Sequence, residues 1–107
     1  MYHTTSVASG EAIMTEGFKI PKRGGCFGRG VNLSPDVEHT LMYKSGEACT
    51  LVCKVAIGRA HANTSRQVPD HVRPKRGYDA MYGAVGMIVV VPSAARVRPV
   101  RMIVHKA

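Results

Sequence analysis

The segment from Gly24 to Tyr43, GGCFGRGVNLSPDVEHTLMY, constrains the fold more than any other. Its first part places glycine at positions 24, 25, 28 and 30. Glycine reaches backbone conformations closed to other residues and lets amide N–H groups approach a ligand with no Cβ in the way. VNLS reads as a short strand. Ser34-Pro35 then supplies an N-cap and a proline at the first helical position, which predicts a helix from about Pro35 to Tyr43. On that helix Thr40 and Tyr43 stand three residues apart and share a face. Loop, strand and helix together would cradle a phosphate-bearing ligand that ends in a flat ring.

Elsewhere the pattern is one of short elements. Met1–Thr5 reads as the end of a strand. Ser6 can cap a helix to about Glu16, with Val7, Ala8, Ala12 and Ile13 as its apolar side and Gly17 as its stop. Gly10 interrupts that helix at a cost of about 1 kcal/mol relative to alanine. Lys19–Gly25 reads as an exposed loop and Lys44–Glu47 as a turn. Cys49–Ile57 alternates as a strand, with Leu51, Cys53, Val55 and Ile57 on one face and Val52, Lys54 and Ala56 on the other. Arg59–Gly77 has little periodicity and reads as a long loop. Met87–Val91 reads as a buried strand turned by Pro92-Ser93. Val100–His105 reads as the last strand, with Pro99 at its entry or at a bulge. Two short helices early and strands late give an α+β class. A length of 107 residues suits a single domain, 1–107, with one modest core.

Composition narrows the function classes. Hydrophobic content of 45% with 21% charged residues is that of a folded chain. No apolar run approaches the length of a membrane span, so no membrane partner is expected. The polar opening MYHTTS has neither a basic n-region nor an apolar h-region, so no secretory signal is expected. A start so close to His3 leaves room for only a short first strand, as in an excised or minimal domain. Three cysteines, Cys26, Cys49 and Cys53, form no CxxC pair and no even set, which favours a reducing, intracellular (cytoplasmic or nuclear) setting. Cys49 and Cys53 should face the same way as buried small apolar groups. The net charge of +8 suits an anionic partner (nucleotide, nucleic acid or acidic protein surface) or, equally, a solvated basic surface that aids solubility.

Negative motif evidence is also useful. The glycine loop is not a P-loop, since no Gly-Lys-[Ser/Thr] follows, and a strand rather than a helix follows Gly30, unlike a Rossmann fingerprint. His39, His61, His71 and His105 match no metal-site spacing, so no metal is expected. No GxSxG elbow is present. The basic clusters Lys22-Arg23, Arg73–Arg76 and Arg96–Arg98 lack interleaved aromatics, so stacking on single-stranded nucleic acid is not indicated.

In order and spacing, His3-Thr4-Thr5-Ser6, FGRGVNLSPDVEHTLMY, Lys54–Gly58 (KVAIG) and Gly77-Tyr78-Asp79 resemble four pieces of the PARP-type ADP-ribosyltransferase catalytic domain. The resemblance covers essentially the whole chain. It implies a small ADP-ribosyltransferase fold: two short, roughly perpendicular β-sheets with a central NAD cleft. It further implies that NAD is the substrate, contacted by His3, Thr4, Thr5, Gly28, Arg29, Gly30, Asn32, Ser34, Thr40 and Tyr43. In the resembled family the histidine holds the 2′-hydroxyl of the adenine-side ribose, and the following residue, here Thr4, gives backbone hydrogen bonds to the nicotinamide carboxamide. The Thr40 hydroxyl would bond that carboxamide and Tyr43 would stack on the ring, while Asn32 stands where a second aromatic often lies. The third catalytic position, a glutamate in polymer-forming members, corresponds to Val100, which makes the triad His3, Tyr43 and Val100.

The implied activity is mono-ADP-ribosyl transfer to a protein or nucleic-acid acceptor with release of nicotinamide. A non-catalytic module that holds NAD or ADP-ribose is the alternative from another class. A second enzymatic alternative is an RNA 2′-phosphotransferase-like activity, to which VNLS and the positive charge are also similar.

Overall fold

The computed structural model describes residues 1–20, 29–41, 47–62, 74–83 and 87–105. Within them the chain runs β1 (Tyr2–Ser6), α1 (Val7–Glu16), β2 (Val31–Leu33), α2 (Val37–Leu41), β3 (Ala48–Val55), β4 (Ala60–Ala62), β5 (Ala80–Gly83), β6 (Ile88–Val91) and β7 (Val97–His105). A 3-10 turn, Ala94–Arg96, leads into β7. The strands form a three-stranded sheet in the order β1-β3-β7 and a four-stranded sheet in the order β2-β6-β5-β4. The class is α+β, with two sheets and short helices.

Period-two alternation decides what each sheet buries. In the three-stranded sheet His3 lies opposite Leu51, which lies opposite Met102, while Thr4 lies opposite Thr50 and Thr50 opposite Ile103. Leu51, Cys53 and Val97 therefore point one way, toward Val31, Leu33, Ala80, Val89 and Val91 of the other sheet. Phe18 packs into the same core just after α1. The two sheets are stitched at Tyr2 and Ser34, whose backbones exchange N–H···O bonds of 2.8 and 3.0 Å. No helix among the described residues is long and apolar enough to cross a membrane.

Local signals explain where elements begin and stop. Ser6 Oγ accepts the Ser9 N–H at 3.2 Å, and Gly17, at φ 84, closes α1 by donating its N–H to the Ile13 carbonyl at 2.7 Å. α2 begins at Val37 rather than at the expected Pro35. Asp36 takes the capping role: its Oδ1 accepts the Glu38 N–H at 3.0 Å, while Ser34 Oγ accepts the Asp36 N–H at 3.1 Å. The last strand starts at Val97 rather than Val100, and Pro99 sits inside it opposite Cys53, directly before a bulge. β7 is an edge strand, where a residue without an N–H is tolerated.

The expected long loop after Arg59 contains β4, which pairs in parallel with β5, Ala60 opposite Ala80. The turn leading into β4 is tied down by Asp79. Its Oδ2 accepts the Arg59 N–H at 3.1 Å and its Oδ1 meets the Arg96 guanidinium at 3.2 Å. Gly58, at φ 63, is required there, since an added Cβ would overlap the Asp79 carboxylate.

Gly10, which costs helix propensity, is buried against β3. An added Cβ would overlap Cys49 Sγ and lie 3.1 Å from Met102 Sδ, so the missing side chain is what lets α1 approach the sheet. Gly10→Ala should therefore lose stability. The overpacking penalty of about 1–3 kcal/mol exceeds the propensity gain of about 1 kcal/mol. In a Cys49→Ala background the loss should shrink or reverse, and urea denaturation of the four proteins of that cycle reads the coupling directly.

Candidate functional site

β1 divides the sequence-predicted residues between its two faces. His3 and Thr5 turn toward a cleft of about 440 Å³, walled by β2 residues Val31 and Asn32, by Gly30, and by α1 and its exit. A volume of this size is usual for small-molecule sites. Ala12, Ile13 and Phe18 supply apolar wall, and Ser9 and Asn32 supply polar groups. At the rim Lys19 and Glu16 form an exposed pair at 3.9 Å. The sequence reading named none of the α1 contributors as site residues. Their signal in the sequence is the apolar side of α1 at Ala12 and Ile13, which looks like ordinary packing.

His3 is fixed in the cleft by two contacts. Its Nδ1 lies 2.7 Å from the Asn32 carbonyl oxygen, and its ring meets Phe18 edge-on with centroids 5.3 Å apart. A carbonyl only accepts, so Nδ1 carries the proton and Nε2 keeps its lone pair. Burial pushes the His3 pKa down, partly offset by the bond to Asn32. The ring is thus neutral at pH 7 and presents Nε2 as an acceptor for a hydroxyl or amine. Asn32 Oδ1 is buried and has no hydrogen-bond partner among the described residues. An unmatched buried acceptor costs about 1–3 kcal/mol.

Thr4 and Thr40 fall on the other face of β1, away from His3. Thr40 Oγ1 donates to the Val37 carbonyl at 2.7 Å and accepts from Thr4 Oγ1 at 2.9 Å. With its proton so used, Thr4 accepts from Thr50 at 2.8 Å, and Thr50 in turn accepts from His105 Nε2 at 2.6 Å. The four groups form a one-way chain of donors ending on a helix carbonyl. Thr40 and Thr50 are buried, so this chain is structural cement between α2, β1, β3 and β7.

The other expected site residues separate. Ser34 is buried and spent on the Asp36 N–H and the Tyr2 backbone. Arg29 stands half-exposed just before Gly30. Val100 is 49% exposed on β7 and does not line the cleft. Gly28 and Tyr43, with Gly24, Gly25 and Cys26, lie outside the described residues. Cys49 and Cys53 are free and buried, and burial pushes both thiols up, Cys53 to about 11, so neither is a thiolate nucleophile.

A scan against protein-family models gives no match to this chain, and a search of curated proteins gives none either.

Two measurements check this geometry. Because the folded His3 binds its proton more weakly than the unfolded chain, its stabilising contribution is full above about pH 6.5 and is lost as pH falls toward the folded value. Denaturation at pH 7.5 and at pH 5.5, taken as round values on either side of the ordinary histidine pKa of about 6.5, should show the acid loss reduced in His3→Gln. Separately, Thr4→Val leaves the Thr50 proton and a Thr40 lone pair unmatched and should cost about 1–3 kcal/mol by the same method, with Thr4→Ser nearly neutral.

Proposed function

We propose that this chain is a small NAD-dependent ADP-ribosyltransferase that transfers a single ADP-ribose unit. The observation that carries the reading is the His3 cleft, where a neutral ring offers Nε2 in a pocket with an apolar wall of Ile13 and Phe18. A nucleoside suits that set: its ribose hydroxyl donates to Nε2, and its base lies against Ile13 and Phe18. This agrees with the role that the PARP-type resemblance assigns to His3, on a small ADP-ribosyltransferase fold of two sheets around an NAD cleft. Free, buried cysteines suit an intracellular setting.

In the proposed reaction the bond from ribose C1′ to the nicotinamide nitrogen breaks, and nicotinamide leaves with the electron pair. A protein or nucleic-acid nucleophile bonds C1′ and releases its proton to solvent. Catalysis of this kind depends on orientation and on stabilising the cationic sugar. Val100 has no acceptor and no titratable group, so it supplies neither stabilisation nor activation of a second hydroxyl. Loss of one such contact slows reactions by about 10²–10³, which leaves slow single transfer and no chain growth.

A second reading, a non-catalytic NAD or ADP-ribose module, is favoured by one observation. The Thr40 hydroxyl, expected at the carboxamide, already donates to Val37 and accepts from Thr4.

NAD at 100 times its dissociation constant should raise stability by about 2.7 kcal/mol, and His3→Ala should abolish that shift. Intact-mass spectrometry with a nicotinamide assay should show one ADP-ribose per site and slow release. A thermal shift with neither added mass nor nicotinamide identifies the binding module. No shift at all removes both readings, and ladders at one site would place an unrecognised carboxylate at the reaction centre.

A further inference from the structure

Three cations share the outer face of the three-stranded sheet. Lys54 stands directly opposite Arg98, and Arg101 stands opposite Val52 in the neighbouring pair. Arg98 and Arg101 are an odd number of positions apart, which in a regular strand would send them to opposite faces. The bulge between the Cys53–Pro99 and Val52–Arg101 pairs absorbs Val100 and gathers both arginines beside Lys54. All three side chains are exposed.

Among the described residues no carboxylate forms an ion pair with Lys54, Arg98 or Arg101. Glu11 and Glu16 belong to α1, which packs on the opposite face against Cys49 and Met102. Asp36 and Glu38 sit at α2, which covers the Thr4–Thr50 row of this same face but pairs with none of the three cations, and Glu47 precedes β3 at the end remote from Lys54. Asp79 is held by Arg96 and the Arg59 N–H. Like charges directly across a strand pair repel, and an anion seated between them would remove that cost. The same row of the sheet continues from Arg101 through Val52 to Tyr2, a half-buried aromatic on the same face. The strand register thus supplies the ring that the basic clusters lack in the linear sequence.

We propose that this face binds a single-stranded nucleic acid, with Lys54, Arg98 and Arg101 on successive phosphates and the Tyr2 ring against a base. Phosphates repeat along a strand as the cations do along the sheet, and an aromatic on a sheet face is a stacking platform for unpaired bases. The excess of 15 Lys and Arg over 7 Asp and Glu points to the same class of partner. The assignment does not rest on NAD binding, because the cleft and this face are on opposite sides of the sheet.

Fluorescence anisotropy with a short labelled oligouridylate, run between about 50 and 200 mM salt, tests it. Replacing all three cations, Lys54→Gln, Arg98→Gln and Arg101→Gln, should reduce the salt slope by about 2 and weaken binding about tenfold or more. Tyr2→Leu should weaken binding about tenfold without changing the slope. His3→Ala should bind as wild type, which separates this face from the cleft. A triple variant with unaltered thermal unfolding and wild-type affinity and slope overturns the proposal. So does competition by polyglutamate equal to that by the RNA, which would assign the face to an acidic protein. Duplex binding as tight as single-strand binding overturns the role of Tyr2.

Discussion

The two backbone hydrogen bonds between Tyr2 and Ser34 are the joint on which this small fold turns. β1 belongs to the three-stranded sheet through its ladder to β3, yet at its first residue it also bridges to the segment that continues β2. That double membership brings the Asn32 carbonyl within reach of His3 and sets the second sheet over Leu51 and Cys53. Core and cleft are therefore one construction. The apolar residues behind the seam hold the sheets together, and the polar residues at its edge face the opening.

The hydroxyl chain on the far side of β1 complements this seam. Thr4, Thr40 and Thr50 sit where a small core would ordinarily place apolar groups, and their burial is tolerable because each proton has an acceptor in a single direction. Such a network fixes α2 and β7 relative to β1 more specifically than packing alone. It also commits the Thr40 oxygen, so any ligand group that approaches there can donate to Thr40 but not accept from it.

Much of this was legible in the sequence where signals are local. Ser6 and Gly17 bracket α1 because capping chemistry acts within one turn, and the alternation from Leu51 to Val55 shows which residues face the core. β4 and β5 were not legible: AHA and AMYG are too short to show a period, and their parallel pairing joins residues about twenty positions apart. The start of α2 was misread because two capping residues compete, and Asp36 prevails over Ser34. The division of β1 was implicit, since alternation alone sends Thr4 away from His3 and Thr5. What alternation could not show is that α1 walls the cleft, which follows from the close approach at Gly10.

The bulge at Val100 has a consequence for how β7 can change length. Pro99 opposes Cys53 and Arg101 opposes Val52, so the residue between them is surplus to the ladder. Its loss would leave a regular strand with every neighbour still facing the same way. A one-residue deletion C-terminal to it, between Arg101 and His105, would instead invert part of the strand, carrying charge toward the core or apolar groups toward solvent. Length variation in this strand should accordingly be absorbed at one position.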